Sequence, residues 1–364
     1  MAKKKPNYKF RRNLAKAFLV LIIIIPIILI NRVKLTHLPL YLSNTKYTDI
    51  IDAMFEVQYT GSEAKNTLNY LKEKKKINDN TDDYILKLYD KGYGKNTIDY
   101  LIRNLNKSQI TDFLDKKYSK DFEEYIKLDL FKYSKYNRYI KYQEKHKDLS
   151  LEDVVIRIEL NMDKTYYEDS EFIKNPDEIT TLANKYYEIP EDYEPKDLVD
   201  MEDDYANNMY GTLTLRKEAY EKFKEMCNAS RKDGVKFYAE SAYRGYNYQN
   251  IIYKNYIDEN GQEKADKYAA RPGFSEHELG LALDLANIWT ITTKGEEYKW
   301  LTKNAYKYGY IIRYKKEWED ITGYSAESWH IRYVGIKAAS VIQKENITYE
   351  EYYAKYILTK KSSK

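Results

Sequence analysis

The 364-residue chain has one cysteine, Cys227, so no intramolecular disulfide can form and the fold must stand on packing alone. Cys227 falls in the helical pattern Leu215, Ala219, Phe223, Met226, Cys227, which marks it as a buried core thiol rather than a nucleophile or metal ligand. No charge of one sign dominates. Basic residues number 61 against 57 acidic ones, a net +4, and they are spread along the chain, which leaves no electrostatic footprint for nucleic acid. Histidine is scarce, with four in the whole chain. Tyrosine, by contrast, is abundant at 41 residues and reads as amphipathic packing material. A long hydrophobic run is also missing. The longest apolar stretch, Ala17 to Ile30, has 14 residues and contains Pro26, which is short for a membrane-spanning helix.

That stretch is preceded by Lys3, Lys4, Lys5, Lys9, Arg11, Arg12 and Lys16. Basic residues ahead of an apolar segment favour a cytoplasmic N-terminus and export of the downstream chain. No small-x-small cleavage site comes after it; the next residues are Asn31, Arg32, Val33 and Lys34. The expectation is a basic cytoplasmic tail over 1–16 and an uncleaved transmembrane anchor over 17–31, giving a single-pass protein whose C-terminal part faces the cell wall. Cleavage of the segment would instead give a secreted protein.

Residues 46–150 predict short helices, with apolar residues at three- and four-residue spacing. One repeat is visible: Lys65-Asn66-Thr67-Leu68-Asn69-Tyr70-Leu71 recurs as Lys95-Asn96-Thr97-Ile98-Asp99-Tyr100-Leu101. Each copy predicts a helix start capped by Asn or Thr. Stacked helical hairpins serving as a spacer fit this pattern better than a wall-binding module, and no protein partner for the region is indicated. A connector over 151–181 contains Ile156, Ile158, Leu160 and Met162 alternating with Arg157, Glu159 and Asn161, which predicts a half-buried strand over 154–162. From 182 onward, helix-like and strand-like patterns interleave without a βαβ rhythm. Strands are predicted over 235–243, 281–286, 311–314 and 329–334, helices over 213–228, 246–256, 296–308, 335–345 and 348–358, and a polar loop over 258–275. The fold class is α+β, with a small antiparallel sheet and flanking helices.

Two of the four histidines stand in short stretches rich in carboxylates: Ser275-Glu276-His277-Glu278-Leu279-Gly280-Leu281-Ala282-Leu283-Asp284 and Glu327-Ser328-Trp329-His330. In the strand over 281–286, Leu281, Leu283 and Leu285 take the core face, and Gly280, Ala282, Asp284 and Ala286 take the other. A carboxylate among Gly and Ala has space before it for a metal and a substrate. Taken singly, Asp284 reads as a cap or ion-pair partner and His277 as an ordinary histidine. Taken together, His277, Asp284 and His330 offer Zn²⁺ three ligands and an open fourth position, with Glu327 left over as a base. Arg244 sits where a strand ends, placed either to hold a carboxylate or oxyanion or to make a surface ion pair. Gln249 is a weaker candidate beside it, and Trp329 reads as core or as a substrate platform.

These stretches resemble the VanY-type D-alanyl-D-alanine carboxypeptidases of the LAS group of zinc peptidases. The resemblance covers about Leu182 to Ala354. The segment leading into the family domain, of the form NKxxxLPxxYxPxDLV, appears at Asn184–Val199. SGYRSYxxQ appears as Ser241–Gln249, and SEHxxGLAxD as Ser275–Asp284. The family tail appears over Lys307–Gly335, with Thr322-Gly323 and Arg332-Tyr333-Val334-Gly335. The resemblance implies a zinc carboxypeptidase domain over 182–358 that trims D-alanine from peptidoglycan stem peptides. Its ligands would be His277, Asp284 and His330, its base Glu327, and Arg244 would face the substrate or transition state. Tyr243, Gln249, Ser275 and Trp329 join Arg244 as substrate-side candidates. Gly245, Ser328 and Ala242 depart from the family's Ser, Pro and Gly; none removes a ligand or the base. An L,D-carboxypeptidase or an endopeptidase of the same wall is the alternative, and a wall-binding or sensory protein is the alternative without enzymatic activity.

Overall fold

The computed structural model describes residues 34–209, 211–285 and 292–359, and the chain divides into two compact units between Lys127 and Leu128. The structure corrects the transmembrane expectation. Among the described residues no helix is long and apolar enough to cross a membrane. The longest, Lys217–Lys232, has 16 residues and carries charge on its exposed face. The apolar run of 17–31 lies outside the described residues. The transmembrane helix in the fold class, the membrane as partner and the single-pass location are therefore unsupported.

The first unit consists of short helices, among them Thr48–Glu56, Gly61–Glu73, Thr81–Asp90, Lys95–Asn104 and Lys107–Asp115. The repeated heptapeptides place Leu68 and Leu71, then Ile98 and Leu101, in the buried interior. Their starts differ from expectation. Thr60 caps the first helix in a reciprocal box with Glu63, so Lys65–Leu71 lies inside that helix, and Gly94 precedes the second. The two copies meet through Thr67, which donates to Asp99 at 2.5 Å and accepts from Arg103 at 2.7 Å.

In the second unit the strand expected over 154–162 is a helix, Leu151–Glu159. Its start is set by Ser150, whose hydroxyl accepts from Asp153 N while the Asp153 carboxylate reaches back to the Ser150 amide. The alternation misled because both faces are covered: Val154, Val155, Ile156 and Ile158 are all buried. Glu159 is buried as well, paired with Lys132 and Lys135. The loop expected over 258–275 also holds structure. The helix Tyr246–Asn260 runs further than expected, and Gln262–Tyr268 forms another.

A four-stranded antiparallel sheet organises the unit. In chain order its strands are β1 (Ala239–Ser241), β2 (Ala282–Leu285), β3 (Tyr310–Tyr314) and β4 (Glu327–Tyr333), and their spatial order is β1-β2-β4-β3. Leu281, Leu283 and Leu285 are fully buried on one side, against Phe223, Met226 and Cys227 of the helix Lys217–Lys232. That burial pushes the Cys227 thiol up to about 12, which leaves it inert. The opposite face carries the polar residues. In the register, Ser241 pairs with Asp284, and Asp284 pairs with His330, so three polar side chains line up across three strands. Ala286 lies outside the described residues.

Candidate active site

His277 enters from a 3₁₀ turn, Glu276–Leu279, that runs into β2. Ser275 caps the turn: its Oγ accepts from the His277 amide at 3.3 Å, while the Glu278 carboxylate reaches back to the amides of Ser275 and Gly273. Gly280 closes the turn at φ +61°, where an added Cβ would meet Arg216 and Leu198 at 3.0 Å. A larger residue there would shift both the turn and the first residue of β2.

The His277 ring is 1% exposed and its Nδ1 donates to the Ala242 carbonyl at 2.6 Å. This leaves the Nε2 lone pair free. Nε2 is buried with no hydrogen-bond partner, 3.3 Å from Asp284 Oδ2 but not aligned with it. The other Asp284 oxygen is 3.1 Å from His330 Nδ1. One ligand atom from each of His277, Asp284 and His330 lies within 4.8 Å of the others. Two imidazoles and a carboxylate, one nitrogen orphaned in the interior, form a donor set suited to Zn²⁺.

Charge is strongly perturbed at this cluster. Burial, followed by the Arg244 charge, pushes His277 down to about 4. Burial opposes the charges of His330 and Asp284 too, but their neighbours outweigh it: Asp284 and Glu276 favour the charged His330, and His277, then His330, favours the charged Asp284. His330 is raised to about 9, and Asp284 is held well below the usual carboxylate range. Glu327, opposite Tyr314 in the sheet, has Oε2 3.7 Å from His330 Nδ1. Burial pushes this carboxyl up to about 7, against the pull of His330.

Arg244 lies just past the end of β1. Its Nη1 donates to Ser241 Oγ at 2.8 Å and Asp284 Oδ2 at 3.2 Å, and its Nε to Gln249 Oε1 at 3.1 Å. Gln249 is buried and donates in turn to the Ala270 carbonyl, so it braces the guanidinium. All of these side chains, with Ser275 and Trp329, line one cleft of about 170 Å³, apart from Ser241 behind the guanidinium. Tyr243 is not among its lining residues; its hydroxyl lies against Gly245 instead. Sequence reasoning missed Glu276, Ile252, Tyr256, Tyr268, Tyr314 and Tyr324, which also line the cleft. Only Glu276 and Tyr314 had a signal, since both stand at positions that the family motifs specify; Tyr324 falls within the family tail at a position left open. A larger cavity of about 270 Å³ elsewhere in the unit is lined by Lys132, Lys135 and Glu159. There Glu159 is already paired with Lys132 and Lys135, at 2.6 and 3.0 Å, and among the described residues the metal cluster lies only in the smaller cleft.

The family model for VanY, D-alanyl-D-alanine carboxypeptidase, matches residues 212–336. Over 211 residues the chain is 42% identical to the putative carboxypeptidase YodJ of Bacillus subtilis (strain 168), covering 54% of this chain and 77% of that protein. The chain belongs to the VanY family. The D-alanyl-D-alanine carboxypeptidase of Enterococcus faecium is 36% identical over 177 residues, 47% of this chain and 56% of the relative. Among solved structures, the LdcB LD-carboxypeptidase shows 42% identity and a TM-score of 0.48, covering 52% of this chain and 92% of that one. The VanY match spans β1, β2, β3 and β4 and every candidate ligand of the cleft.

Proposed function

We propose that this VanY-family chain is a zinc-dependent carboxypeptidase that removes terminal D-alanine from peptidoglycan stem peptides. One observation carries the reading: sheet register sets Asp284 against His330 while the His277 turn aims an unpartnered Nε2 at the same point. Zinc bound by His277, Asp284 and His330 supplies Lewis acidity toward the scissile carbonyl and toward the attacking water. Glu327 stands at the edge of that cluster. Its carboxylate takes a proton from the water as the new C–O bond forms, then returns it to the nitrogen as the C–N bond breaks. The amine leaves protonated, and Glu327 is ready for another cycle. Arg244 presents a cation beside Asp284, where it neutralises the oxyanion or the substrate's terminal carboxylate. Gln249 and Ser241 fix its orientation. Ser275 holds the His277 turn, and Trp329 forms part of the cleft wall.

The peptidase domain is assigned to 182–358, preceded by a connector over 151–181 and a helical spacer region over 46–150. The test is mass spectrometry of defined stem peptides incubated with the protein, with and without a chelator. Chelator-sensitive loss of one D-alanine from a pentapeptide is the expected result. Loss only from a tetrapeptide would reassign the specificity to L,D-cleavage. No release from either, with zinc absent from the protein, would favour a binding role.

A further inference from the structure

Two histidines in the metal cluster need opposite tautomers, and each has its own device for setting one. For His277 the device is the Ala242 carbonyl on Nδ1. His330 has a carboxylate oxygen at each ring nitrogen, Asp284 Oδ1 3.1 Å from Nδ1 and Glu276 Oε2 3.4 Å from Nε2. Nδ1 is the nitrogen on the Asp284 side, so a metal held with Asp284 would take Nδ1 and the proton would stay on Nε2. The Glu276 carboxylate, bridged to Arg313, accepts, so it holds a proton on Nε2, and the Nδ1 lone pair becomes available where a metal replaces the proton between Nδ1 and Asp284. Glu276 is itself fixed. Its Oε1 accepts from Arg313 Nε at 2.9 Å, with Arg332 Nη1 at 3.6 Å. Arg313 then grips Glu350 with both terminal nitrogens, at 2.9 and 2.6 Å, and Glu350 also accepts from Asn184. Glu276, Arg313, Arg332 and Glu350 are all buried. Glu350 belongs to the short helix Tyr349–Tyr352, beyond the residues that the family model matches.

We infer that Glu276, clamped by Arg313 and Glu350, is a positioning residue that sets His330 to bind the metal through Nδ1, so the C-terminal helix acts on zinc affinity from outside the cleft. This rests on the zinc reading of the cluster but not on which peptide bond is cut. A metal-bound imidazole whose other N–H meets an anion is a better and better-aligned donor, and loss of such a partner costs about 10–100-fold in metal affinity.

The first test needs no variant. Long-range ¹⁵N NMR on the zinc-loaded full chain should show His330 protonated at Nε2 and metal-bound at Nδ1. Zinc bound through Nε2 would overturn the inference and leave the zinc reading intact. Failure of the wild type to bind zinc at all would remove both. The second test measures zinc affinity by chelator competition. Glu276→Gln should weaken it about 10–100-fold. Glu350→Gln, which touches neither ligand nor cleft, should weaken it by a smaller factor. Affinities within twofold of wild type for folded Glu276→Gln would refute the role. If that variant does not fold, Glu350→Gln with unchanged affinity would do so.

Discussion

Replacing Glu327 by Gln should separate activity from stability in opposite directions. The side chains are nearly isosteric, so the cleft keeps its shape, and Glu327 is not among the three clustered ligands, so zinc content should hold. A general base contributes about 10²–10⁴-fold, so turnover of a stem peptide should fall by that factor, or about 3–5 kcal/mol in the barrier. Stability moves the other way. In the metal-free protein, burial raises the Glu327 carboxyl from 4.5 to about 7. A raised carboxyl contributes fully below its unfolded value and loses that contribution as pH rises through the folded one. Above pH 7 the buried charge therefore costs the metal-free protein up to about 3 kcal/mol. Gln removes that cost, so the metal-free variant should resist urea better than wild type at pH 8 and about equally at pH 4. Peptide release followed by mass spectrometry, metal analysis and urea titration at both pH values check all three parts. Turnover within tenfold of wild type would refute the base role. Equal urea midpoints at pH 8 would refute the burial argument.

Arg244→Lys keeps the charge but loses the planar fork that meets Ser241, Asp284 and Gln249; kcat/KM should fall about 10²-fold or more with zinc content unchanged, read by the same peptide assay. Ser150→Ala removes the cap of the helix Leu151–Glu159 and should cost about 1 kcal/mol in urea unfolding. Phe223→Ala leaves a cavity beneath the sheet, where the ring is fully buried, and should cost about 3–5 kcal/mol by the same measurement.

Much of the centre was legible because it is local. Alternation along β2 put Leu281, Leu283 and Leu285 inward and Asp284 outward without knowledge of the partner strand. Ser275 and Glu278 write the cap of the His277 turn into four consecutive residues. Where reading failed, burial pattern misled it. Residues 154–162 alternate like a strand but are covered on nearly all sides, and the Ser150–Asp153 box was the overlooked helix signal. The helix Gln262–Tyr268 has little apolar periodicity to show, since only Ala265 and Asp266 are buried. Tyr256, Tyr268 and Tyr324 come to the cleft from separate segments, and nothing in a chain with 41 tyrosines distinguishes them.

The amino-acid order alone determined which residue types could hold a divalent ion and which face of β2 carries the carboxylate, because side-chain alternation and turn capping act over a few residues. The tertiary structure decided the rest. Strand register set Asp284 beside His330, 46 residues apart, and folding buried Glu276 between Arg313 and the second histidine. Distances, tautomers and the shifted acidities follow from that burial and juxtaposition, which depend on how remote segments pack rather than on their spacing along the chain.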